Sequence, residues 1–258
     1  MRIQNNRVII KPIPDPKKIT ATKIPAILKE ESVRKYTTPF QIWCDLTRVY
    51  PLPFEDNKYT NAGKAIEPKQ LAYFREHYNV PNLITPQEKY GDDLKYIWDF
   101  YSDKPIFGGK WDSITVETDD PNKIRRIIEC KTAQEKKRDF WDDNKIPENY
   151  RMQAALYAYL SGVDGVTYIA TFLKPEDYNN PSEVVLNEEN TILRQMFLSR
   201  DYPEFEEKVY RYVKNWYEKY VLTGISPEYD PNNAQDKKIV TELINRSLET
   251  ACEKPQVL

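Results

Sequence analysis

The chain has 258 residues, 40% of them hydrophobic, enough to bury a sizeable core in one large domain or two small ones. Its 38 basic and 40 acidic residues nearly cancel. That balance argues against a stoichiometric nucleic-acid binder with a broad basic excess, but not against an enzyme that concentrates positive charge locally.

Three cysteines, Cys44, Cys130 and Cys252, stand at no metal-ligand spacing. They suit a reducing compartment better than a disulfide scaffold. No stretch approaches the roughly 18 apolar residues of a membrane span, and no apolar leader opens the chain. A soluble, cytoplasmic protein with no membrane association is expected.

Residues 1–18 carry Pro12, Pro14 and Pro16 among basic residues and read as an irregular arm. Two short helices follow, Thr22 to Glu31 and Thr38 to Arg48, with Pro39 in a favourable first turn. Helical spacing runs from Asn61 to Tyr78 and stops before Pro81. Residues 79–104 mix loop and short helix. Phe107 to Thr118 and Ile124 to Thr132 read as two strands of a hairpin around the turn cluster 118–122. Residues 133–147 are charged and read as a loop. Glu148 to Leu160 is a helix and Val166 to Leu173 a strand. Tyr202 to Leu222 is a long amphipathic helix with Phe205, Val209, Val213, Trp216 and Tyr220 on one stripe. A last helix covers Asn233 to Leu248, and the tail from Glu253 frays. This order predicts an α/β (α+β) core with a mixed sheet. No composition break cuts it, so one domain over 1–258 is expected, with 1–18 as an arm and 223–258 as a helical extension.

Strand alternation puts Ile127, Glu129 and Lys131 on one face and Ile128 and Cys130 on the other. The pair Glu129 and Lys131 is either a surface salt bridge or a reactive carboxylate and ammonium side by side. Cys130 falls on the apolar face and reads as core. Asp112, on the preceding strand, can lie across from Glu129. Two such carboxylates repel unless a proton or a cation stands between them, and magnesium takes one or two carboxylates with phosphate and water. Glu67 sits in the helical stripe of Leu71, Phe74 and Tyr78, where an acid must be paired, neutral or metal-bound. Gln153 lies on a helix face with Tyr150, Tyr157 and Leu160, either satisfying a buried backbone group or orienting a site.

Asp112 followed by Glu129-x-Lys131 resembles the PD-(D/E)XK nuclease motif, with Trp111 in place of the proline. Residues 62–67 resemble the helix that supplies that family's upstream glutamate. Tyr150-x-x-Gln153 with Tyr157 resembles the helix after the motif, and 168–171 the next strand. With 19–22 and 38–43 as N-terminal blocks, the order over roughly 18–222 resembles the YqaJ-type viral recombinase branch, the lambda-exonuclease type. The resemblance implies a restriction-endonuclease-like core and a two-metal deoxyribonuclease, a 5′-to-3′ exonuclease on duplex ends. It implies Mg²⁺ or Mn²⁺ on Asp112, Glu129 and the Cys130 carbonyl, with Glu67 holding a second ion. Lys131 would act on the attacking water or the phosphate, and Gln153 would support it. Thr22, Lys137 and Arg138 would bind phosphate, Arg138 with one residue inserted, and Lys17 or Lys18 would stand for an N-terminal arginine. Lys136 and Lys137 with Phe140 and Trp141 read either as a DNA-contacting loop or as a solvated one with two packing rings. A ring-shaped homotrimer and a single-strand annealing partner are further implications. An endonuclease of the same fold, or a non-catalytic DNA-binding module on a decayed one, are the alternatives.

Overall fold

The computed structural model describes residues 1–29, 37–52, 56–142 and 145–252. Backbone contacts gather into two compact units, one from 1–53, 105–107 and 207–258, the other from 54–104 and 108–206.

The larger unit is built on a five-stranded sheet: β1 (Leu83–Ile84), β2 (Ser113–Val116), β3 (Ile124–Gln134), β4 (Gly165–Leu173) and β5 (Thr191–Phe197), in that spatial order. β3 and β4 run parallel, with Glu129 beside Tyr168 and Lys131 beside Ala170, while every other pair is antiparallel. The parallel pair needs a crossover, and a helix between the two strands provides it. Every residue of β4 is buried, as expected of a central strand covered on both faces.

α1 (Lys58–His77) covers one face. It starts three residues before the sequence expectation, because Asn57 caps it: the Asn57 carboxamide accepts from the Tyr59 and Thr60 N–H groups, and Thr60 Oγ1 accepts from the Asn57 N–H. Leu71 and Phe74 pack with Leu83, Ile128 and Ile169, and Ala62 and Ile66 pack with Leu173 and Tyr178. Burying each large aliphatic side chain contributes roughly 2 kcal/mol. α2 (Glu148–Ser161) is the crossover, and it ends at Gly162 in the left-handed conformation (φ 68°) that favours glycine.

Three expectations change. The stretch Phe107 to Thr118 is not one strand. It breaks at Gly109 (φ 146°), whose N–H donates to Asp99 Oδ1 at 2.8 Å, and pairing with β3 begins at Ser113. Second, β1 and β5 were not foreseen; β1 is two residues long, and β5 has no two-residue alternation of burial. Third, 133–147 is not a loop throughout: β3 runs on to Gln134, a 3₁₀ turn spans Glu135–Lys137 and a short helix spans Arg138–Asp142. Trp141 is buried, with Tyr150, Tyr168 and Phe172 rings about it at 6.1–6.2 Å. It is a core residue and has no face free for DNA. Residues 143 and 144 lie outside the described residues.

In the smaller unit, the expected irregular arm opens with a two-stranded ribbon, Arg2–Gln4 against Arg7–Ile9. Asn5 and Asn6, both at positive φ, close it as a tight hairpin turn. The expected helix Thr22 to Glu31 is a 3₁₀ turn (Ala21–Lys23) running into Ile24–Ile27, and its last two positions lie outside the described residues. Pro39–Leu46 and Ala234–Cys252 form as helices, linked by buried Asp236, which accepts from Gln41 Nε2 at 2.6 Å and Thr38 Oγ1 at 2.9 Å. The long helix from Phe205 to Val221 widens into π turns at both ends, so Tyr217 and Val221 are fully buried where Tyr220 was expected. The tail from Glu253 lies outside the described residues. Among the described residues no helix is long and apolar enough to cross a membrane.

The packing of the short helix Arg138–Asp142 gives a direct check. Trp141→Ala should cost about 3–5 kcal/mol in urea unfolding, whereas replacing its exposed neighbour, Phe140→Ala, should stay within about 0.5 kcal/mol.

Candidate active site

β3 supplies the centre of the site. Alternation sends Ile128 and Cys130 towards Leu71 and Phe74 on α1, and Glu129 and Lys131 towards α2. Lys131 Nζ donates to Glu129 Oε2 at 2.7 Å and to Gln153 Oε1 at 3.3 Å, and lies 5.2 Å from the centre of the Tyr150 ring. The Glu129 side chain is wholly buried and the Lys131 side chain is 10% exposed. Gln153 belongs to α2, so the crossover helix holds the lysine as well as covering the sheet.

Asp112 stands one residue before β2. Its Oδ2 accepts the Cys130 N–H at 2.7 Å. Pairing of β2 with β3 runs only from Val116 to Ser113, which faces Ile128, so a side chain takes over where the strand partner ends. The N–H and C=O of one strand residue share an edge, which turns the Cys130 carbonyl to the same open side.

Glu67 comes from α1 and is half-buried. Burial pushes its carboxyl up to about 7, with the Asp112 charge adding and Lys131 opposing. Burial likewise pushes the Asp112 carboxyl up, against the pull of Lys131 and the Cys130 N–H. It pushes Glu129 up to about 8, with Lys131 opposing and Asp112 and Glu67 adding. Burial alone would lower the Lys131 ammonium, but Glu129 and Asp112 overcome it and hold that group above its usual range. Three carboxylates thus share one ammonium, and the site carries an excess of negative charge that a proton or a cation must balance.

Glu129 Oε1 is buried with no hydrogen-bond partner. An orphaned carboxylate oxygen with a second, half-buried carboxylate on the adjoining segment has the donor chemistry a hard divalent ion takes. Among the described residues no three carboxylate, imidazole or thiol groups form a ready cage. An ion here would fill its shell with water and substrate oxygens, as magnesium does with one or two carboxylates.

The structure brings Glu67, Asp112, Glu129, Lys131 and Gln153 into one charged cluster. Thr22 lies in the other unit, exposed in its 3₁₀ turn, with its hydroxyl 3.3 Å from that of Thr20. Lys137 is exposed, and the Arg138 guanidinium lies 5.9 Å from the centre of the Phe172 ring. Lys17 is engaged with Asp45 at 2.8 Å, which also meets Lys23 at 3.1 Å. His77, at the end of α1, meets Glu188 at 3.2 Å and stacks on Tyr73.

Sequence reasoning missed Gln70. It is completely buried, and its Nε2 reaches the carbonyls of Lys131 and Ile169 at 2.9 Å and Thr171 Oγ1 at 3.0 Å. One amide thereby ties α1 to both parallel strands at the motif lysine. The available signal was its spacing, three residues after Glu67 and one before Leu71 on the same buried stripe. Pro68, also passed over, sits inside α1 and removes a helical N–H directly after Glu67.

This mixed sheet, with Asp112 and Glu129-x-Lys131 on neighbouring strands and helices on its faces, is an α+β core of the restriction-endonuclease-like kind. The chain belongs to the YqaJ-like viral recombinase domain family, whose model matches residues 15–164. An uncharacterised protein of Mycoplasma genitalium is 27% identical over 255 residues, covering 85% of this chain and 86% of the relative. Solved structures of two exonucleases are among those that share the fold. An alkaline exonuclease from Laribacter hongkongensis has a TM-score of 0.52 at 10% identity, covering 92% of this chain and 95% of that one, and is also solved with dAMP. A phage-related exonuclease from Haemophilus somnus 129PT has a TM-score of 0.52 at 13% identity, covering 90% and 97%. The fold and family expected from the sequence are therefore shown.

The buried pair sets a stability prediction. Lys131→Met should cost about 3–5 kcal/mol, because Glu129 is left buried without its counter-charge. Adding Glu129→Gln should recover most of that loss. Urea unfolding of the two variants beside the parent measures both steps, and an undiminished loss in the double variant would remove the charge explanation.

Proposed function

We propose that the protein is a divalent-metal-dependent DNA exonuclease that degrades one strand of duplex ends, 5′ to 3′, in phage-type recombination. Membership of the YqaJ-like family and the exonuclease fold support a nuclease. The Laribacter exonuclease is also solved in complex with dAMP, a deoxynucleoside monophosphate. The observation that carries the reading for this chain is buried Glu129, its Oε1 unpartnered beside Lys131, with half-buried Asp112 on the Cys130 N–H of the same strand.

Asp112, Glu129 and the Cys130 carbonyl would hold one Mg²⁺ or Mn²⁺, and Glu67 would hold a second. When bound, such ions stabilise the charge on the attacking and leaving oxygens of an in-line displacement. Lys131, fixed by Glu129 and Gln153, keeps its remaining N–H directed to water or the scissile phosphate. Between two carboxylates it acts as an ammonium donor, orienting the attacking water. The Tyr150 ring beneath it and the Gln153 amide limit its freedom to move. Exposed Lys137, with Arg138 beside it, would meet the DNA backbone as a local patch on a nearly neutral protein. A homotrimer around the DNA and a single-strand annealing protein as partner complete the proposal.

The first test is digestion of linear 5′-phosphorylated duplex beside a closed circle, in Mg²⁺ and in EDTA. Loss of the linear DNA alone, abolished by EDTA and by Glu129→Gln, is expected. Cutting of both substrates would replace the exonuclease with an endonuclease. Binding without cutting of either would replace it with a non-catalytic module. Lys137→Ala with Arg138→Ala should weaken duplex binding and reduce the slope of log K against log salt by about 1 for each phosphate no longer neutralised. An unchanged slope would remove the patch.

A further inference from the structure

Of the five tryptophans, Trp43, Trp111, Trp141 and Trp216 are buried, and Trp98 is 88% exposed. Tyr96, two residues earlier, is 70% exposed. Scattered single apolar side chains on a surface need no explanation, but two large rings together do. Their support is not loose. The Phe100 N–H donates to the Gly109 carbonyl at 2.9 Å, and Asp99 Oδ1 accepts from the Gly109 and Tyr101 N–H groups. A Cβ on Gly108 would stand 2.8 Å from the Asp99 carboxylate, so the two segments meet without space to spare. The Phe100 ring packs on Trp111 at 4.5 Å, and Trp111 immediately precedes Asp112. The rings of Tyr96 and Trp98 are therefore presented from a segment clamped to residues 108–111, which lead through Asp112 into β2.

Cations interleave with these rings. Lys95 Nζ lies 4.9 Å from the centre of the Tyr96 ring, and Lys110 Nζ lies 5.7 Å from that of Phe100. The neighbouring acids are mostly engaged: Glu88 with Arg75, Asp99 with backbone N–H groups and Asp103 with Lys104. Asp92 and Asp93, at the start of the 3₁₀ turn Gly91–Tyr96, offset two lysines. The surface thus offers π-faces with only local positive charge. Stacking by bases, which all have a π-face, suits it better than tracking a duplex backbone.

We infer that Tyr96 and Trp98 form a stacking platform for single-stranded DNA beside the carboxylate cluster. The inference rests on the nuclease reading for its biological sense, since digestion of one strand from a duplex end leaves the other single-stranded next to the site. Its binding chemistry is independent of cleavage.

Binding of oligothymidylate in EDTA, read by tryptophan emission and by anisotropy of a labelled strand, tests it. Oligothymidylate should quench the emission of the exposed tryptophan. Trp98→Ala and Tyr96→Ala should each weaken binding about 10-fold, with unchanged circular dichroism and little change in salt slope, and Trp98→Phe should retain most of the affinity. Parental affinity in Trp98→Ala would overturn the platform. So would a sedimentation experiment in which Trp98→Ala abolishes self-association but leaves oligothymidylate binding intact, since the surface would then be a contact between copies. Duplex digestion separates the two readings. A protein that cuts linear DNA while Trp98→Ala binds oligothymidylate normally keeps the nuclease and loses the platform. One that binds oligothymidylate through Trp98 but never cuts keeps the platform and loses the nuclease.

Discussion

The site depends on an ion pair held out of water within a single strand. At 2.7 Å and an effective dielectric of about 20, Glu129 and Lys131 attract by about 6 kcal/mol, while each ion loses several kcal/mol of hydration. Attraction and desolvation are therefore close to balanced before Asp112 and Glu67 are counted. Adding two further carboxylates tips the cluster towards excess negative charge. A protein selected for stability alone would replace such a group with aliphatic residues. The pair sits among buried aliphatic residues and the buried hydroxyls of Ser113, Thr115, Thr167 and Thr171, so folding stability alone does not account for it.

Sheet topology then determines where that charge is accessible. β2 stops pairing at Ser113, while β3 continues for six residues past Ile128. Along that stretch the β2-facing edge has no strand partner, and Asp112 occupies its first N–H at Cys130. The shortness of β2 is thus what opens an edge beside the buried pair. On the opposite flank β4 pairs with β3 to the end, and Gln70 fixes α1 to both strands at Lys131 and Ile169. One side of the motif strand is paired to its end, and the other ends its strand pairing at Ile128.

The parts of this arrangement that sequence reveals are those governed by a simple period. Glu129 and Lys131 share a face because strands repeat every two residues, and Glu67 stands out because a helical stripe of Leu71 and Phe74 makes an acid conspicuous. Period fails where an element is too short or where burial does not alternate. Leu83–Ile84 is two residues long, and Thr191–Phe197 mixes buried and half-exposed positions without alternation. Composition leaves the two rings of 133–147 undecided between DNA contact and packing, and the structure packs Trp141 while Phe140 stays exposed. Two punctuation signals were present and carried more than they were credited with. Asn5-Asn6 encodes a tight hairpin, and Gly108-Gly109 ends a strand that seemed to continue. Gln70 was hidden for another reason: a buried amide serves partners contributed by distant strands, and no local pattern names them.

The same Gly109 adjoins both the carboxylate–lysine cluster's helix and the exposed aromatic segment. With φ at 146° and Tyr157 so close that a Cβ would approach its ring to 2.7 Å, the position accepts no side chain. Tyr157 stands one turn after Gln153 on α2, and Gln153 accepts from Lys131. On its other side Gly109 is hydrogen-bonded to Asp99 and Phe100, the base of the segment bearing Trp98. A single backbone crossing therefore touches both the helix that holds the lysine and the loop that displays the exposed rings. Contact alone does not make these surfaces communicate, because coupling requires an element with two arrangements. What the crossing does impose is a fixed spacing between a place suited to stacked bases and a place suited to a phosphodiester, as successive binding of one strand requires.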